Sequence, residues 1–400
     1  MLSDINIHFV TFTGAGFQQK WQLVRLPHQN KLLVSMLSLI KLFSQSTTCR
    51  RFTVAKRHCD PVINHYASSG HPNHFSLAER MLNCSPDLNF RVFIEITIER
   101  VIAKVSIENA RWCRCRHCPM CQLAKSRKQR AHLFKSFAVA DLSIEKYVFL
   151  TLTVNNVPLN ELRATLNKMS KAWHNLFKRS SFPAVGFLRS MEVTMQRQRM
   201  PWDTKKNSGP PVRSKDGQLM CHPHFHILMD MEEDYFQKGF KKTEWFAAQW
   251  ASALKVDYNP IVHIKKIRAA SDGDFSKALM ETCKYTVKPA DFYDDVIPKM
   301  SNPKHQLLAN KVFSEAKPHS AEWLYGITEQ LDGLRSYATG GSIKQICNVA
   351  KLNQIDDTCD SDDEQSQLGR LIRGVWNDKR KRFDCVEVKE DYEDENEVTD

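Results

Sequence analysis

Along the first 75 residues, apolar and polar positions follow neither a two-residue nor a helical period, so this segment is read as one of uncertain order. Ser76 and Glu79 then stand at capping-box spacing, which predicts a short helix over residues 77–82 that leads into Cys84. Phe90, Val92, Ile94 and Ile96 alternate with polar residues, as in a strand with one buried face. A cysteine-rich stretch ends at Cys121, and a basic helix is expected over residues 123–137. Residues 147–154 are β-branched and apolar enough for a central strand, stopped by Asn155 and Asn156. Leu159, Leu162, Leu166, Met169, Trp173 and Leu176 recur mostly at three- and four-residue steps, which predicts a helix with one face on a sheet.

Two strand-like stretches, 186–195 and 225–229, flank a polar loop over 196–218 that is rich in Lys, Arg, Gly and Pro. That spacing makes them antiparallel neighbours. Helices are expected over 244–254 and 274–287, with a strand over 261–267 between them. Strands alternating with helices imply an α/β or α+β fold. Beyond Gly341 the chain turns polar: residues 356–364 are acidic, 370–382 basic and 387–400 acidic again, the pattern of a charged tail without fixed structure. The expected division is an N-terminal segment over 1–75, a zinc-binding segment with its basic helix over 76–138, a catalytic domain over 139–345, and the tail over 346–400.

Charge sharpens this picture. The net charge is +12, yet residues 356–400 hold nine more acidic than basic groups, so the first 355 residues are strongly basic. Such a body attracts polyanions at long range, which favours nucleic acid as the partner. Twelve cysteines in a 400-residue chain do not suit a disulfide scaffold, which belongs to small secreted domains. Their clustering points to metal and to a reducing, cytoplasmic setting. The apolar stretch over 32–43 is broken by Ser35, Ser38 and Lys41, so no membrane span is expected.

Three constellations carry chemistry. In His222-Pro-His-Phe-His226, His224 and His226 share one strand face and can bind one divalent cation. Glu192, on the neighbouring strand, would complete a His/His/Glu set suited to Mg²⁺ or Mn²⁺. In Glu281-Thr-Cys-Lys-Tyr285, helical i, i+4 spacing sets Glu281 and Tyr285 on one face. There the phenol is a candidate nucleophile toward a phosphodiester, and the carboxylate a candidate base for water. Lys284 and Lys288, with Arg127 and Lys128 on the basic helix, are assigned to DNA phosphates. In the third constellation, Cys118-Pro-Met-Cys121 has zinc-knuckle spacing and Cys113 precedes it. Cys84 is taken as the fourth ligand, with Cys115, Cys59 and His117 as alternatives.

The ordered set Glu79–Cys84, Trp112–Cys121, Phe149–Val154, Glu192–Thr194, His222–His226 and Lys284–Lys288 resembles the Rep initiator family of small rolling-circle plasmids, within the HUH (His-hydrophobic-His) endonuclease class. The likeness runs from about Ser76 to Gly341. It implies an α+β fold in which a central antiparallel sheet flanked by helices carries the histidines, with a small zinc-binding segment. It also implies a catalytic Mg²⁺ or Mn²⁺ on His224 and His226, a structural Zn²⁺, Tyr285 as nucleophile and Glu281 as director of hydrolysis. The implied substrate is plasmid origin DNA, single-stranded at the nick. No Gly-x-x-x-x-Gly-Lys-Ser/Thr loop occurs, so a host helicase and a host DNA polymerase are the expected partners. Two other readings are a relaxase or transposase of the same class, and a zinc-containing DNA-binding regulator without catalysis.

Overall fold

The computed structural model describes residues 6–8, 24–25, 43–44, 46–96, 101–139, 146–204, 207–267, 272–283, 287, 289–292, 299–316, 318–349 and 370–389. In chain order the elements begin with strands β1 (Asn6–His8) and β2 (Val24–Arg25) and helices α1 (Thr47–Arg57), α2 (Cys59–Ala67) and α3 (Pro72–Leu82). Strands β3 (Asp87–Ile96) and β4 (Val101–Ala110) precede helix α4 (Pro119–Val139). Next come β5 (Tyr147–Thr153), β6 (Val157–Pro158), α5 (Leu162–Phe177), β7 (Ala184–Met195) and β8 (Met220–Met231). Helix α6 (Thr243–Leu254), β9 (Val262–Lys266), α7 (Asp272–Thr282), α8 (Pro303–Ser314) and α9 (Ser320–Leu331) follow. The last elements are β10 (Tyr337–Gly340), α10 (Gly341–Val349), β11 (Arg370–Asn377) and β12 (Arg382–Lys389). The fold class is α+β, and the chain divides into two compact units.

The first unit comprises residues 1–63, 70–124 and 358–400. Its sheet runs β12-β11-β3-β4-β1-β2. The β3–β4 hairpin follows the alternation read from Phe90 and Val92, both buried. The structure corrects the charged tail: residues 370–389 form the β11–β12 hairpin, and β11 pairs antiparallel with β3, Ile372 opposite Phe90. Ile372 and Phe383 are buried, and Gly374 lies where a Cβ would come within 3.0 Å of the Phe43 ring. Arg373 is exposed and pairs with Asp87 at 3.0 Å, and a high charge count concealed the buried positions of this hairpin. Residues 47–67, within the segment of uncertain order, are helical, with Ser46 Oγ accepting from Cys49 N at the start of α1 and Phe52 and Val62 buried. The capping-box expectation also fails. Helix α3 starts at Pro72, capped by His71, whose Nδ1 accepts from Asn73 N, and Ser76 lies inside the helix.

The second unit, residues 64–69 and 125–357, is built on the sheet β10-β7-β8-β5-β9. β7 and β8 are antiparallel neighbours across the polar loop. One face carries Arg189, Met191, Phe225 and Ile227 and is covered by α5 and α6. The Trp250 indole donates to Thr153 O there at 2.8 Å, Arg189 reaches Ser170 on α5, and Trp173 packs edge-on to Phe187 at 5.1 Å. On the opposite face, Leu188 and Leu228 join Leu133 and Phe137 of α4, Ala278 and Leu279 of α7, Cys283, and Ile343 and Cys347 of α10 in one apolar cluster. Helix α7 ends at Thr282 and Val287 sits at a bend, so the expected helix over 274–287 is shorter than its sequence pattern suggested.

Candidate functional site

Strand alternation puts His222, His224 and His226 on the face of β8 that α4, α7 and α10 share. β7 lies beside it in a register that sets Glu192 directly opposite His224 and Ser190 opposite His226. On the other flank, β5 sets Thr151 opposite His226. Cross-strand partners stand about 4.5–5.5 Å apart at Cβ, so two adjacent strands suffice to bring the three side chains together. Both Nε2 atoms turn to one oxygen, Glu192 Oε2, His226 at 3.1 Å and His224 at 3.5 Å. His224 Nδ1 faces the carbonyl of His222 at 3.2 Å and therefore donates to it, which fixes the ring with Nε2 inward. His226 is held by Thr151 Oγ1 at 3.2 Å from its Nδ1 and by the Phe149 ring stacked 5.6 Å away.

The three side chains are nearly enclosed. Burial opposes ionisation of Glu192, but hydrogen bonds and charge from His224 and His226 outweigh it and hold the carboxyl well below its ordinary range. His222 stands apart: its Nδ1 meets Asn156 Oδ1 at 2.7 Å, and burial together with the charge of His224 pushes it down to about 4. One carboxylate and two imidazoles, with ligand atoms all within 4.8 Å of one another, form a donor set that could hold a single metal ion and would leave coordination positions open. His226→Ala should weaken Mn²⁺ binding by roughly a hundredfold or more, beyond the usual effect of losing an outer hydrogen bond, as read by calorimetric titration. Unchanged affinity would remove His226 from the set.

Helix α7 brings Glu281, partly exposed, to this same sheet face, and the carbonyl of Cys283 accepts from Ser126 Oγ of α4 at 2.9 Å. Tyr285, Lys284 and Lys288 lie outside the described residues. Arg127 and Lys128 sit half-buried on α4.

In the first unit, the end of α3, the end of β4 and the start of α4 deliver Cys84, Cys113, Cys118 and Cys121 to one point. Sulfur separations are 3.5 Å for Cys113–Cys121, 3.6 Å for Cys118–Cys84 and 3.7 Å for Cys84–Cys121. Thiolates about 2.3 Å from one tetrahedral Zn²⁺ lie about 3.8 Å apart, so these spacings fit a single ion. Packed this closely, the thiols cannot all ionise against one another. Hydrogen bonds from Cys115, Cys118, Cys121 and Cys84 hold Cys113 far below the ordinary thiol range, while its proximity pushes Cys118 and Cys121 up. A central cation would resolve that conflict. Cys115 lies outside the four, its sulfur near the carbonyls of Leu77 and Cys113, and His117 is also outside the group. Cys59 comes within 4.0 Å of Cys118 as a fifth thiol. Phe149 and Thr151, within the Phe149–Val154 motif, and Asn156, read as a strand stop, were given no part in the site from the sequence, yet they contact the imidazoles of His226 and His222.

Comparison with known proteins bears on both units. The family model described as "Replication protein" matches residues 104–397. A "Protein rep" of Streptococcus pneumoniae serotype 2 is 27% identical over 323 residues, 77% of this chain and 84% of that protein. A "Protein rep" of Lactiplantibacillus plantarum is 27% identical over 77% of this chain and 88% of its own length. A "Replication protein" of Staphylococcus aureus is 30% identical over 60% of this chain and 89% of its own. No solved structure gives a significant match. With its family model spanning most of the sequence, including both the histidine pair and three of the four clustered cysteines, the chain belongs to the Rep family of replication proteins.

Proposed function

We propose that this protein initiates rolling-circle replication of a plasmid by nicking one strand at the origin and retaining its 5′ end on Tyr285. One observation carries the reading. Helix α7, which ends at Thr282 and so just ahead of Tyr285 in the chain, packs on Leu188 and Leu228, the sheet face that also bears Glu192, His224 and His226. A divalent cation held by those three residues would polarise the scissile phosphate. The Tyr285 oxygen attacks phosphorus; the new P–O bond forms as the P–O3′ bond breaks, and the departing 3′ oxygen takes up a proton. The free 3′ hydroxyl then primes a host polymerase. The basic charge of the chain and its replication-protein relatives favour DNA as substrate. No helix among the described residues is long and apolar enough to cross a membrane, and the proposed setting is the cytoplasm, with a host helicase opening the duplex.

Glu281 is assigned the closing step. Its carboxylate takes a proton from water, which attacks phosphorus and breaks the bond to Tyr285, regenerating the phenol. Glu281→Ala should form the adduct normally and release it slower by roughly 10²–10⁴-fold, the usual scale for a lost general base. Adduct quantified over time on denaturing gels reads this, and unchanged turnover removes the role. The reading as a whole is tested by incubating the protein with Mn²⁺ and a 3′-labelled origin oligonucleotide, then mapping the labelled peptide. Label on residues 284–288 is expected. A protein that binds the origin without ever cutting it would be a regulator, and the proposal would fall.

A further inference from the structure

The 196–218 loop between β7 and β8 is long and basic, with six Lys/Arg against two Asp, and the chemistry above makes no use of it. It leaves β7 four residues after Glu192 and enters β8 six residues before His224, so its roots lie within about 13 Å and about 20 Å of those two ligands along the strands. The loop is a built element. Bridges join Arg197 to Pro211 and Arg213 to Leu219. Asp203 gathers its tip, accepting from Met200 N at 2.7 Å, Ser208 N at 3.0 Å and Ser208 Oγ at 2.5 Å. Gly209 fits only because it lacks a Cβ, which would come within 2.8 Å of Gln198 O.

Its four described cations divide into two kinds, Lys205 and Lys206 lying outside the described residues. Arg197 pairs with Asp291 at 3.4 Å, and Arg213 grips Glu322 with two hydrogen bonds of 2.8 and 2.9 Å; these anchor the loop to its own unit. Arg199 and Lys215 are exposed; the charge of Arg199 also acts on Asp203 at the loop tip. Close to Arg199 in the chain stands Trp202, half-buried, its indole fixed by a 2.9 Å hydrogen bond to Ser208 Oγ and its ring 5.4 Å from that of His305 on α8. A fixed aromatic ring with an exposed guanidinium three residues away in the chain, and an exposed ammonium on the Arg213–Leu219 turn of the same loop, supplies the group types that single-stranded nucleic acid uses: a surface for a stacked base and cations for phosphates.

We propose that this loop is a subsite for single-stranded DNA flanking the scissile phosphate, Trp202 stacking a base and Arg199 and Lys215 holding phosphates. The inference rests on the nicking reading for its substrate, but its test does not require cleavage. Fluorescence anisotropy with Mn²⁺ would compare a short oligonucleotide confined to the nick site, the same oligonucleotide lengthened by several nucleotides on either side, and a duplex of the longer sequence. The wild type should bind one lengthened strand more tightly than the short one. Arg199→Glu with Lys215→Glu, both at exposed positions, should abolish that gain, and Trp202→Ala should weaken the lengthened strand by about tenfold. The slope of log affinity against log salt should fall by roughly one for each phosphate that the altered side chains no longer neutralise. All variants should bind the short strand and form its adduct as the wild type does. Equal binding of short and long strands by the wild type, or a loss confined to the duplex, overturns the subsite. Failure of the wild type to form any adduct counts instead against the nicking reading.

Discussion

If the four-thiol cluster holds a structural zinc, as we propose, serine in place of Cys118 is expected to leave the purified chain without that ion and to unfold the first unit at ordinary temperature. The four thiols tie together the end of α3, the end of β4 and the start of α4, adding to the bonds of Arg80 with Cys113 O and of Ser85 with Arg111 O. A structural zinc supplies on the order of 10 kcal/mol of folding free energy, comparable with the whole stability of a small domain. Removing one thiolate forfeits several kcal/mol of this and leaves three closely packed thiols in an apolar setting. The measurements are zinc stoichiometry by a colorimetric chelator and limited proteolysis of the full chain. One zinc in the wild type, none in Cys118→Ser, and new cleavage within residues 70–124 are expected. Cys115→Ser should keep the metal, because Cys115 faces backbone carbonyls and lies outside the set. A variant lacking Cys118 that still holds one zinc would show that Cys59, 4.0 Å from it, takes its place or that the cluster is not the metal site.

Much of this geometry was legible in the sequence because it follows from parity. Two strands separated by a polar loop pair antiparallel, and once they do, Glu192 and His224 become facing residues. The knuckle Cys118-Pro-Met-Cys121 brings two sulfurs to the start of a helix, and Cys84 follows the preceding helix closely enough to meet them. What escaped the reading was hidden by composition. The hairpin of 370–389 carries so many charges on its outer positions that its buried residues, Ile372 and Phe383, did not register as a period. In α1 and α2 the buried face includes Thr48, Thr53 and the stem of Lys56, whose ammonium donates to Cys84 O, so burial there is not confined to apolar residue types. The end of α7 was misplaced because Cys283 and Val287 are both buried and continue an apolar spacing past the last helical turn.

Tyr285→Phe is expected to reduce covalent adduct by roughly 10⁴-fold or more, the scale on which removing a nucleophile acts. The change deletes one oxygen and keeps the ring, so binding of origin DNA and of Mn²⁺ should stay within about twofold, which separates chemistry from recognition. Other phenols are poorly placed to compensate. Burial raises Tyr147 above the ordinary range and the nearby Asp230 adds to the effect, which disfavours the phenolate. Tyr66 is buried and bonded to Thr328 Oγ1 at 2.7 Å; Tyr325 donates to the carbonyl of His65; and Tyr258 accepts from Asn155 N at 3.2 Å. Tyr293, eight residues beyond Tyr285, is the one further candidate in the same stretch of sequence. Tyr293→Phe should therefore retain the adduct in full. If it abolishes the adduct while Tyr285→Phe retains it, the roles exchange. If each variant retains it and only the double variant fails, either phenol can serve as nucleophile, and release need not depend on Glu281 and water, because the strand can pass from one phenol to the other.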